Sequence, residues 1–244
     1  NAAVAAADAS ASNAGRLTFR STFGNWERGA NDGMLLYRPV AGDFDAMLQV
    51  VSMNATDWHD AGIMARVAET NDAGAGEDWV AVKHFAHQNN NGHRSTDNGV
   101  SSTAQLGSPA QPWLRLTRSG NTFTSYRSTD GKTWSQIGAT GRADMSGLPV
   151  QVGIWQATFS ANEGVAQFDN FSLRTPSTWA LATGGSWPTP DNWTNGVPGG
   201  QFQNSTECGV ERNRSSRTER GAVRCNSVGY SMRAATRSWT ACIC

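Results

Sequence analysis

The sequence predicts an all-β protein, a two-sheet antiparallel sandwich of the jelly-roll kind, and three observations carry that prediction. Short runs rich in Val, Ile, Phe, Trp and Thr recur from about Arg16 to Arg174, each closed by Gly, Asn, Asp or Pro, which is the punctuation of strands and turns. Several of these runs alternate with period two, whereas no stretch carries the apolar stripe of an amphipathic helix. Charged residues make up only 16% of the chain while Gly alone numbers 26, a composition that disfavours helices and suits short strands joined by turns. About nine strands over roughly 160 residues, with no strand–helix–strand rhythm, call for two packed antiparallel sheets.

In chain order, residues 1–15 are an Ala, Ser and Asn stretch with neither a basic start nor an apolar centre. They lack the parts of a complete signal peptide and are expected to form a disordered extension. The absence of an initial Met reads as a removed signal or as a piece of a longer protein. The sandwich is assigned to residues 16–175. Its clearest strands run from Met34 to Val40, Phe44 to Met53, Ala61 to Ala68, Trp79 to His87, Trp113 to Arg118, Thr122 to Ser128, Trp134 to Ile137, Val150 to Phe159 and Val165 to Leu173. In the run from Val150, Val152 and Ile154 point to one face and Trp155 to the other, so one face is core and the other is free for other work. Arg118 to Thr122 reads as a hairpin turn in which Gly120 or Asn121 takes a positive φ.

After Pro176 the texture changes. Trp179, Trp187 and Trp193 stand among Gly, Pro and Asn, as in the opening turns of a second, truncated β unit over residues 176–200. Residues 201–244 hold seven Arg, three Glu and all four cysteines, Cys208, Cys225, Cys242 and Cys244. With almost no apolar periodicity this tail is expected to have low order, and the abrupt change after Gly200 fits an out-of-frame extension. Two disulfides or a thiolate metal site are both open to the cysteines, although their spacing matches no zinc signature.

Composition excludes two classes of partner. A formal net charge of +0 lacks the basic footprint of a nucleic-acid binder, and no apolar run reaches the ~18 residues of a membrane span. Glycoside hydrolysis needs two carboxylates flanking the scissile bond, yet Glu27, Glu69, Glu77 and Glu163 are isolated in the sequence, and Asp43 and Asp45 share a face only at a turn-to-strand junction. On a strand His84 and His87 point to opposite faces, which argues against a metal site at the histidines. Ser128 to Trp134 has the form of an Asp-box hairpin. Asp130 accepts backbone N–H groups, Gly131 supplies a positive φ and Trp134 packs beneath, so this is a structural turn. The tryptophans are the better lead, because sugar rings stack on aromatic faces while amides, Arg and His reach hydroxyls. Burial in the sandwich core is the competing fate of each one.

Seven motifs, Gly42-Asp43-Phe44-Asp45, Ala61 to Arg66, Pro112 to Leu116, Gly120 to Phe123, Ser128 to Trp134, Val152-Gly153-Ile154 and Phe168-Asp169-Asn170-Phe171, carry a family likeness. In order and spacing this stretch, about residues 24–174, resembles the concanavalin A-like lectin/glucanase domains of unknown function, LamG-like modules of secreted bacterial proteins that are also attached to glycosidases. The resemblance implies a non-catalytic, extracellular module that binds a polysaccharide or glycan, monomeric within a larger chain. It also implies a structural Ca²⁺ held at Asp169, with no other cofactor. The expected carbohydrate site is a solvent-facing patch of Trp155, Gln156, Trp79, His84, Arg94, Trp58 and His59. The alternatives are a glycoside hydrolase or lyase of the glucanase type, which requires two carboxylates close together, and a structural spacer, which requires buried tryptophans.

Overall fold

The computed structural model describes residues 5–8, 16–27, 32–54, 58–67, 77–176 and 209–211. The elements in order are β1 (Ala5–Asp8), β2 (Leu17–Ser21), β3 (Met34–Val40), β4 (Phe44–Met53), β5 (His59–Arg66), β6 (Trp79–Phe85), β7 (Asn90–Asp97), β8 (Val100–Ser101), β9 (Gln105–Gly107), β10 (Trp113–Ser119), β11 (Thr122–Ser128), β12 (Ser135–Gly141), β13 (Val150–Thr158), β14 (Gly164–Arg174) and β15 (Gly209–Glu211). The first sheet has the order β1-β2-β14-β4-β10-β11-β12, and the second has the order β15-β3-β13-β5-β6-β7-β8 with β9 also on β7. All the pairings are antiparallel, and the two sheets form the expected jelly-roll sandwich. Among the described residues there is no helix, hence none long and apolar enough to cross a membrane.

Alternation explains the core. Leu48 and Val50 of β4, Leu114 and Leu116 of β10, and Val152 and Ile154 of β13 meet between the sheets with Phe19 and Phe168, whose rings cross edge to face at 5.4 Å. β7 departs from this pattern, since its sequence has no aliphatic side chain and yet most of it is buried. Its core-side residues are polar and partnered. The ring nitrogens of His93 lie 2.7 Å from Ser125 Oγ and 2.7 Å from Thr140 Oγ1 on the first sheet. Asn91 Oδ1 accepts from Gln111 N at 2.7 Å.

The turns follow the predicted chemistry. At the β10–β11 hairpin the positive φ falls on Gly120 (φ 59), whose N–H donates to Asp43 Oδ1 at 2.7 Å. In the Asp-box turn Asp130 Oδ1 accepts from Lys132 N and Thr133 N, each at 2.8 Å, and these bonds hold its pKa down at about 2. The ring beneath is Trp113 rather than Trp134, because a Cβ on Gly131 (φ 69) would come within 2.8 Å of the Trp113 indole. Trp134 instead lies over the Arg115 guanidinium.

Within the N-terminal stretch, Ala5–Asp8 pairs with β2. In the tail, Gly209–Glu211 pairs with the outer edge of β3. The expectations for residues 176–200, for the rest of residues 201–244 and for the four cysteines lie outside the described residues, Pro176 aside.

Candidate functional site

The chemistry gathers on the face of the second sheet that points away from the shared core. Pairing registers place Trp155, Gly62, Lys83 and Gly92 in one row across β13, β5, β6 and β7. The next row is Ala157, Asp60, Phe85 and Asn90; on the other side lie Gly153, Met64, Ala81 and Arg94, then Gln151, Arg66, Trp79 and Thr96. By the period-two rule all sixteen positions share this face.

A strap formed by Thr22 to Glu27 covers it. Gly24 O accepts from Thr158 N at 2.6 Å, and Trp26 O accepts from Trp79 Nε1 at 2.9 Å. Trp26 is 1% exposed. Gly33 is required opposite it, since a Cβ there would stand 2.1 Å from the indole nitrogen. Trp26, Trp79 and Trp155 join Leu35, Met64, Ala81 and Ala157 in a second apolar cluster.

The strap delivers Glu27 to a buried charge cluster. Lys83 Nζ donates to Glu27 Oε1 at 2.6 Å and to Asp60 Oδ2 at 2.8 Å, and Arg94 Nη1 lies 3.0 Å from Glu27 Oε2. The ammonium also sits 4.0 Å from the centre of the Phe85 ring. Two cations face two carboxylates, which is the condition for burying them at all. Farther along, Arg66 holds Glu77 through two bonds of 2.5 and 2.7 Å, and donates to Gln151 Oε1 at 3.0 Å. Around the cluster, Trp26 Nε1, Asp60 Oδ1, Asn90 Oδ1, Arg94 Nε and Trp155 Nε1 are buried without a hydrogen-bond partner. Buried polar atoms are nearly always partnered; His59 Nε2, His84 Nδ1 and Gln156 Oε1, on the core side of the same sheet, lack a partner as well. The cluster opens at one end, where the side chains of Arg94 and Glu27 are 21% and 10% exposed.

The residues expected to form a solvent-facing patch divide between two faces. Trp155 and Trp79 lie opposite the core as alternation requires, but both are 0% exposed because Trp26 covers them. Gln156 follows the opposite parity. It points into the sandwich and donates to Ser21 Oγ at 2.8 Å and Gly164 O at 2.9 Å. His59 is also core-side and buried, with Nδ1 3.0 Å from Asn54 O, and burial lowers its pKa. His84 shares the parity of Val80 and Val82, and burial together with the nearby His59 lowers its pKa. Arg94 belongs to the cluster. Trp58 alone of the tryptophans expected in the patch is exposed, its ring 4.6 Å from that of His87.

Sequence reasoning missed Lys83, Asp60 and Glu27. A signal was present for Lys83, a lone lysine at the end of the apolar run Trp79-Val80-Ala81-Val82, since lysine is almost never fully buried unless paired.

Asp169 lies on β14 and its Oδ1 accepts from Asn170 N at 2.6 Å. Its neighbour Phe168 pairs with Leu17 of β2, and Asp169 itself pairs with Gln49 of β4. Among the described residues one group of three carboxylates converges, Asp78, Asp97 and Asp144. Arg142 Nη2 lies 2.6 Å from Asp78 and 2.5 Å from Asp144 there, and supplies the positive charge itself. Asp45 is likewise engaged by Arg115, in two bonds of 2.8 and 2.6 Å.

The fold is shared with solved structures. A functionally unknown protein from Saccharomyces cerevisiae is 20% identical, with 70% of this chain and 92% of that one covered and a TM-score of 0.55. A xylan beta-1,4-xylosidase from Bacillus halodurans is 17% identical over 69% of this chain and 34% of its own, with a TM-score of 0.54. The GH43 protein BlXynB from Bacillus licheniformis is 20% identical over 64% of this chain and 32% of its own, with a TM-score of 0.51. The chain thus spans about a third of either Bacillus protein. No curated protein matches the sequence. Residues 11–176, which include the whole sandwich from β2 to β14, match the family described as Protein of unknown function (DUF1349), and to that family this chain belongs.

Proposed function

We propose that the sandwich is a non-catalytic carbohydrate-binding module, extracellular and part of a larger protein, that targets or tethers its host to a polysaccharide. Its fold is one found in carbohydrate-active proteins. The supporting observation is the end of the charge cluster that reaches the surface, where the side chains of Arg94 and Glu27 are 21% and 10% exposed, together with the exposed ring of Trp58. Hydroxyls both donate and accept, and a sugar ring also offers an apolar face, so a glycan satisfies the two kinds of group together. Neutral overall charge favours such a partner over nucleic acid. No cofactor takes part, and a calcium ion at Asp169 has a structural role. Isothermal titration of soluble polysaccharides tests the reading. Binding heat that disappears in Arg94→Ala is the expected result, and absence of heat with every glycan refutes it.

One observation favours a glycoside hydrolase as the second reading. Glu27 and Asp60 both bond Lys83 Nζ, at 2.6 and 2.8 Å, which brings their carboxylates within the ~5–5.5 Å spacing of retaining enzymes. Against it, both carboxylates are already matched by Lys83 and Arg94, whereas one member of a catalytic pair must hold a proton. Release of reducing sugar by the parent chain and its loss in Asp60→Asn would decide for the enzyme.

A further inference from the structure

We infer that Phe23 and Trp58 grip the ligand: they flank the end of β13 as an aromatic pair and stack on the rings of a polysaccharide chain that lies across the end of that strand. The inference rests on the carbohydrate reading above, and adds to it the residues that hold the ligand and its form, an extended chain.

Phe23 and Trp58 are 47% and 55% exposed, and their φ angles are +53° and +51°. In the left-handed region the Cβ of an L-residue crowds its own carbonyl, and a bulky side chain is a true outlier there. Among the described residues, the other non-glycine ones with positive φ are Asn89, Asn98 and Asn170, of the type that tolerates it. Such strain persists only where the surroundings impose it, and it concentrates at functional sites. Neither aromatic offsets its strain by burying its ring.

Their placement gives the strain a purpose. Thr158 on β13 bridges to Gly24 on one side and pairs with His59 on the other, so Phe23 and Trp58 stand about two strand spacings, ~10 Å, apart across that strand. Contacts continue inward from Trp58. Its ring centre is 4.6 Å from that of His87, which is 6.3 Å from Phe85, whose ring lies 4.0 Å from Lys83 Nζ. Exposed rings about two strand spacings apart suit an extended chain whose successive sugars stack on them.

The test uses the full 244-residue chain and its Trp58→Asn, Phe23→Asn and Trp58→Phe variants, with xylohexaose, cellohexaose and laminarihexaose as probes and thermal melting alongside. Asparagine takes the left-handed conformation easily, so the expected result is a Tm unchanged or raised and an affinity for the bound hexaose reduced at least tenfold. Trp58→Phe retains most of the affinity. A Tm lowered by several degrees in both Asn variants makes the rings structural and overturns the inference, as does unchanged affinity. If the parent binds none of the probes, the carbohydrate reading falls and takes this inference with it; binding that the Asn variants leave intact refutes only the role of the rings.

Discussion

Acid should unfold this protein through His93, and the size of the effect follows from the structure. The imidazole is 2% exposed, sits between the sheets against Ser125 and Thr140, and burial lowers its pKa from 6.5 to about 4. The unfolded chain takes up a proton below pH 6.5 that the folded chain refuses until about pH 4. Stability is therefore complete above pH 6.5 and falls by about 1.4 kcal/mol per pH unit as the pH drops toward 4, reaching about 3 kcal/mol there. Against a typical total of about 5–15 kcal/mol this is a large share. Urea midpoints for the parent and His93→Gln between pH 7.5 and 4 measure it. The substitution removes one proton from the linkage, so the variant should be weaker at pH 7.5 and flatter below pH 6.5. The lowered pKa values of His59 and His84 leave some slope in place. Equal slopes in the two proteins, or an NMR titration of His93 centred near pH 6.5, would refute the reasoning.

Lys83→Met should cost about 3–5 kcal/mol, because Glu27 and Asp60 lose their shared cation under the strap; chemical denaturation checks it, and a loss under 1 kcal/mol would mean that the cluster is hydrated. Trp155→Ala should cost about 3–5 kcal/mol as a core cavity, read as a lower urea midpoint, so it reports on stability before it can report on a ligand. Arg115→Ala, by contrast, removes a half-exposed pair with Asp45 and should change stability by about 1 kcal/mol or less. Chelation should lower the Tm if calcium binds at Asp169, and Asp169→Ala should abolish that sensitivity.

What the sequence made legible depended on whether local pattern or distant packing decided the outcome. β3 and β4 run over the predicted residues because their alternation and flanking turns are local properties. β7 was not visible, since a buried strand whose core side is Asn91, His93 and Ser95 has the composition of a loop; its partners on the first sheet and in loops supply what its residues lack. Alternation placed Trp155 on the correct face, but its exposure depends on Trp26, about 130 residues earlier, for which the local pattern gives no sign. Applied strictly, the same rule would have turned Gln156 into the sandwich. The charge cluster combines Glu27 from an irregular segment with Asp60 and Lys83 from two strands, and no spacing in the sequence announces such a meeting.

The order of the strands also bears on how the molecule is made. β14 lies between β2 and β4, and β13 lies between β3 and β5, so two strands that leave the ribosome after all of β1 to β12 occupy interior positions of the two sheets. Until residues 150–174 emerge, each sheet is two separate pieces with unpaired edges, and such edges invite aggregation. A chain stopped in the β12–β13 connection would lack a strand from the middle of both layers. Completion of the fold during synthesis must therefore be late and concerted, with the first strands waiting for the last.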